Sequence, residues 1–252
     1  MIRTAARAVD AERIKLLTLR SPLWAAAAAA VLSFALAALQ ASVSYGYAAM
    51  PVSTAAMGVA VFGVPVLMVV AAMTVTGEYR SGLIATTFTA IPRRTLVVCA
   101  KAVVAAAFSV VASAVMVFGS VMVARAAAAP GVAAGLTVSA TMRFAAAIAV
   151  YAALTAVLGV GVAVLLRHTA GAVTVLLLWP LLIEPLLGNL PGRSVEIGPY
   201  LPFANVFRFL DVQWLFPEYP MHWGTLGSLG YFAAVVGVVF AAGLVMVNRR
   251  DA

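Results

Sequence analysis

Few residues in this sequence are of a type that does chemistry, and their spacing narrows what that chemistry is. One acid, Glu184, stands in the apolar run Trp179-Pro180-Leu181-Leu182-Ile183-Glu184-Pro185. A carboxylate at membrane depth is costly unless paired or wet, so Glu184 is a candidate for function; the structural alternative is that it marks the outer end of a short span and pairs with Arg193 or water. A second group is compact: Glu78, Tyr79, Arg80, Ser81 and Gly82, followed by Arg93 and Arg94, within the polar stretch 76–94. Two glycines there permit tight turns and Pro92 stops a helix. The stretch reads as a short helix presented at a membrane surface for a partner protein to push on. Basic residues that hold any loop on the cytoplasmic side would explain its charges alone.

Other chemistries fail by inventory. Cys99 is the only cysteine, and His168 and His222 fall near opposite span ends, so no metal site is expected. Intramembrane hydrolysis needs a nucleophile with a base, or a metal cluster, and neither is offered. The two lysines, Lys15 and Lys101, follow Ile14 and Ala100, so no Gly-Lys-[Ser/Thr] phosphate loop exists. No catalytic residue and no cofactor is expected in this chain. A motor that burns ATP would be another polypeptide.

The elements that position these residues follow from composition. The chain is 252 residues long, 65% hydrophobic and only 10% charged, with mean hydropathy +1.09. So little charge cannot cover a soluble surface, so the expected class is an all-α polytopic membrane protein. The net charge of +8 sits at span ends, which favours orientation in a membrane over nucleic acid as its cause. Six spans are predicted, at about 23–44, 54–75, 96–123, 142–166, 170–187 and 225–247. Sorting Lys and Arg by alternate loops gives twelve on the side of both termini and four on the other. Both termini and the 76–94 loop are therefore expected in the cytoplasm.

Residues 1–20 mix Arg3, Arg7, Arg13, Lys15 and Arg20 with Ile14, Leu16 and Leu17 at partly helical spacing. They predict an amphipathic helix on the inner leaflet, ahead of a six-span domain over 21–252. A cleaved signal peptide fits less well, because the apolar run from Pro22 is too long. Of the outer loops, 46–53 is short and uncharged, and 188–224 is long and aromatic. In the latter, Phe203, Val206, Phe207, Leu210 and Trp214 share one helical face, with Asn205, Arg208 and Asp211 opposite. That pattern predicts a short interfacial or re-entrant helix before the last span. Phe207 and Trp179 join Glu184 as candidates to line a substrate path. Small residues share faces at Ser109, Ser113 and Ser120, at Thr155, Gly159 and Ala163, and at Gly230, Ala234, Gly237 and Ala241, where helices can approach closely.

With six spans, a basic amphipathic N-terminus and Thr76-Gly77-Glu78-Tyr79-Arg80-Ser81-Gly82 followed by Thr86-Thr87 and Pro92-Arg93-Arg94, the chain resembles membrane subunits of the type-2 ABC exporter family. The resemblance runs over essentially the whole length, and Leu83 stands where Thr is common. It implies that 76–95 is a coupling helix seated in an ATPase subunit, with Glu78, Tyr79, Arg80, Ser81 and Gly82 at that interface and Arg93 and Arg94 beside it. It also implies a connecting helix at 2–20, re-entrant helices before the last span, and ATP and Mg on the partner ATPase. The expected assembly pairs two ATPase subunits with a second permease copy or paralogue in the plasma membrane, in contact with lipid. The expected activity is export of a hydrophobic or amphipathic cargo, drug-like or lipid, by alternating access. A membrane scaffold or assembly subunit is the main rival, and a proton-coupled carrier using Glu184 the second.

Overall fold

Helix is what an apolar chain must form where water cannot satisfy its backbone. The computed structural model describes residues 2–44, 49–213 and 216–249, and no strand occurs among them. Trp214, Arg250 and part of the 46–53 loop, all used in the sequence reading, lie outside the described residues. Helix α1, Ile2–Thr18, comes first. Six helices long and apolar enough to cross a membrane follow: Arg20–Val43, Val59–Ser81, Arg94–Ala127, Val138–Leu166, Thr169–Gly188 and Thr225–Arg249. Helix α2, Leu83–Ala90, joins the second and third of these, and helix α3, Pro202–Phe209, lies between the fifth and sixth.

The spans are not equivalent. In the second and fourth, 72% and 61% of the most apolar stretch is buried, against 17% in the first and 22% in the fifth and sixth. The second and fourth therefore form the centre, and the fourth touches the second, third and sixth. Gly159 explains how close that centre is. A Cβ there would lie 2.4 Å from the Met68 carbonyl oxygen, so only glycine lets the two backbones meet. Thr155 and Ala163 are buried with it, as are Ser109, Ser113 and Ser120 in the third span. Gly230, Ala234, Gly237 and Ala241 instead lie on the outside of the sixth.

Two spans are broken in the same way. The second begins with a π-helical turn, Val59–Gly63, and the fifth contains one at Trp179–Ile183. Pro65 and Pro185 follow each turn by two residues. A proline lacks an N–H and its ring pushes back the carbonyl four residues earlier, which opens the helix into a wider turn.

Two sequence readings are corrected here. The polar segment Thr76–Ser81 is no loop: it is the last part of the second span, and the chain turns only at Gly82, whose φ of 73° is left-handed. Helix α1 also packs on the third span, with Ala8, Glu12 and Leu16, one turn apart, buried. In α3, Asn205 does not share an exposed polar face with Arg208 and Asp211; it is fully buried.

Candidate functional site

A buried lysine organises one end of the bundle. Lys101 lies two turns into the third span and is 2% exposed. An ammonium so placed needs acceptors for all three of its protons. It donates to Glu12 Oε2 at 2.8 Å, to Glu78 Oε1 at 2.7 Å and to the Thr74 carbonyl at 3.2 Å. Lys15 completes the ring, donating to Glu12 Oε1 at 2.9 Å and to Glu78 Oε1 at 2.8 Å. Two acids and two bases thus cancel in charge and tie together α1, the second span and the third. Burial would depress the Lys15 ammonium, but its hydrogen bonds to Glu78 and Glu12 outweigh that and hold it above the ordinary 10.5.

Around this ring lie the other residues singled out from the sequence. Tyr79 is half-buried, with the Arg167 guanidinium 5.1 Å from its ring centroid. Arg94 stands 5.4 Å over the Phe88 ring of α2 and donates to the Val247 carbonyl of the sixth span at 3.2 Å. Ser81 returns its hydroxyl to the Gly77 carbonyl, a local bond within the helix. Arg80, Gly82 and Arg93 are exposed, and Leu83 at the start of α2 is 55% exposed. The segment 78–94 is therefore two-sided. Glu78 turns inward to the ring, while Arg80, Leu83, Thr86 and Thr89 face out.

Sequence reasoning missed Glu12 and Lys101 as members of the site and took Lys15 for a surface charge. The signal was present: a lysine inside the apolar span predicted over 96–123 demands an acid, and Glu12 and Glu78 are among the few acids available.

The second candidate group lies where the fifth span breaks. Glu184 is fully buried and pairs with no cation among the described residues, Arg193 included. Its carboxylate instead accepts from the backbone N–H of Phe203 at 2.8 Å and of Ala204 at 3.3 Å, the first turn of α3. Trp179 Nε1 donates to the other oxygen at 2.7 Å. A helix N-terminus presents unpaired N–H groups and a positive dipole end, so a carboxylate from another segment is a fitting cap. The indole reaches inward although Trp179 itself is 42% exposed.

Phe207 sits on the same α3 helix and stacks edge-on with Tyr151 and Phe216, so it joins the core rather than the Glu184 hydrogen-bond set. Asn205 locks α3 further. Its amide nitrogen donates to the Pro199 and Leu201 carbonyls, and its oxygen accepts from Trp223 Nε1 at 2.8 Å. The Tyr219 hydroxyl is pushed up to about 12, first by burial and then by the Glu184 charge.

No group of three or more metal-ligating side chains occurs among the described residues. His168 caps the fifth span by accepting from the Gly171 N–H at 3.2 Å, and His222 packs against Tyr200 and Trp223. Compared with known families and with curated proteins, the chain matches no family model and no curated sequence.

Proposed function

We propose that this chain is the membrane-spanning subunit of an ATP-driven exporter of the ABC type, with ATP and Mg bound by a separate ATPase chain. Both termini and α2 lie in the cytoplasm of this reading, in the plasma membrane, and a second copy or a paralogue completes the permease. The cargo is hydrophobic or amphipathic.

One observation carries the reading: α2 is presented outward at a glycine hinge while its root is fixed inward. Arg80 and Leu83 are exposed at the corner, and Glu78, on the same turn, is held by Lys15 and Lys101. A push on α2 is then transmitted to α1 and the third span through short charge-assisted bonds rather than lost in a slack loop. The twelve-to-four distribution of basic residues supports the orientation. Alternating access follows only if the motor contacts α2 differently in its two nucleotide states.

The test is co-purification of an ATPase with the tagged chain at native expression, for wild type and for Arg80→Ala/Leu83→Asp. These two side chains face out, so the change leaves the ion ring intact. Loss of the ATPase with unchanged folding is the expected result. A scaffold would be unaffected in function by the same change.

A second reading, a proton-coupled carrier working through Glu184, draws on the burial of that carboxylate without a cation partner among the described residues. It expects transport to fail in Glu184→Gln with no ATPase needed.

A further inference from the structure

The end of the bundle remote from α1 holds a cavity of about 460 Å³ whose character contrasts with the rest of the chain. It is framed by the end of the first span, the entry to the second and the turn after α3. Gln40, Ser53, Thr54, Asp211 and Gln213 supply polar groups, and Met57 an apolar wall. Its volume falls in the range of small-molecule sites, about 300–1,000 Å³. Gln40, Ser53 and Thr54 are half-buried, and no hydrogen bond occupies their side chains among the described residues. These groups are open to water and have no protein partner among the described residues, so a ligand can bond them in place of water.

Among the described residues Asp211 is the only charged group of this lining; its side chain is exposed, and its backbone position is built. Helix α3 ends in a paired turn: the Asp211 N–H donates to the Arg208 carbonyl at 3.1 Å and the Val212 N–H to the Phe207 carbonyl at 3.0 Å. This ending requires a left-handed residue, for which glycine is the low-strain choice. Asp211 occupies it with φ 53°. Val212 is tucked in at 6% exposure, which fixes the turn. The nearest cation in sequence, Arg208, donates to the Trp223 carbonyl and makes no ion pair with Asp211. At the rim, the exposed Gln213 donates to Glu218 at 2.6 Å, which brings a second carboxylate near.

We propose that this cavity binds the head group of a cationic amphiphile: a primary ammonium on Asp211, flanking hydroxyls on Ser53, Thr54 and Gln40, and the start of an alkyl chain on Met57. A bare metal ion is a poor match, because Asp211 and Glu218 are both exposed and no group of three metal-ligating side chains occurs among the described residues. The name cargo for this ligand rests on the exporter reading; the binding itself does not.

The experiment uses the purified chain alone, in a neutral maltoside detergent, with a radiolabelled long-chain aminodiol and its N-acetylated, uncharged counterpart as probes. Wild type is expected to bind the amine at least tenfold more tightly than the acetylated form. Asp211→Asn and Asp211→Gly are each expected to lose at least tenfold in affinity for the amine. Asp211→Gly relieves the left-handed strain, so its melting temperature is expected to hold or rise, which separates lost binding from lost folding. Equal binding of both probes, no binding by wild type, or full binding by Asp211→Gly would overturn the proposal. Because no ATPase is present, binding that behaves as expected while no motor co-purifies would sink the exporter reading and leave this site standing.

Discussion

Two carboxylates are buried at opposite ends of this molecule, and they are neutralised by different means. Glu78 is met by two lysines from other segments, Lys15 and Lys101, sharing them with Glu12. Glu184 is met by no cation among the described residues but by the first N–H groups of α3 and one indole. The first arrangement joins three helices by charged side chains that span them, so it ties distant parts of the chain into one body. The second caps a short helix against a broken span, so it organises one corner. Ion pairing here serves mechanical linkage, and helix capping serves local shape.

The largest effect is expected from Lys101→Met, which leaves two buried carboxylates to share one half-exposed lysine. Breaking a buried pair from one side costs about 3–5 kcal/mol. Equilibrium unfolding in detergent measures it, and hydrogen exchange should show the loosening in α1 but not in α3. A Glu12→Gln/Lys101→Met double-mutant cycle sharpens this: a coupling near zero would mean that the ring is not a unit.

The mirror experiment is Glu184→Leu, which strands two backbone N–H groups and the Trp179 indole. Each unsatisfied buried donor costs about 1–3 kcal/mol. Faster amide exchange is expected over Pro202–Phe209, with α1 protection unchanged. Loosening of α1 instead would erase the distinction between linkage and cap.

A smaller effect distinguishes the two ends by pH. Lys15 is held above its ordinary 10.5 in the folded chain, so the stability it contributes is fully present below that value. It is lost as pH rises through the higher folded value. Attachment of α1, followed by exchange or by a spin label on Arg13, should therefore weaken only above pH 10.5, while α3 stays capped.

Smallest is Gly82→Ala. No atom lies within 4 Å of the Cβ it would add, so only the left-handed backbone resists, at about 1–2 kcal/mol. Stability should fall by no more than that.

What the sequence disclosed and what it hid follow from the range of the forces. The spans were legible because a run of about 20 apolar residues is a local property. Pro180 and Pro185 stand on either side of Glu184 in the sequence, and the structure has a π turn at Trp179–Ile183. Glu78 was not legible as an inward residue, because its partners lie 63 and 23 residues away and only the packing of helices brings them near. Asn205 failed for a related reason. Periodicity put it opposite the apolar face of α3, but it could not say that the Trp223 segment would cover that face too. Lys101 was the missed clue, since a lone cation in a span demands an acid, though not which one.

The most direct test of the account is the ATPase pull-down with the outward-facing pair changed and the inward ring preserved. Wild type should bring down an ATPase whose activity follows the complex, and Arg80→Ala/Leu83→Asp should lose it while the purified chain unfolds as before. Retention of the ATPase by that variant, or its absence from wild type at native expression, would contradict the assignment of α2 as the element a motor moves.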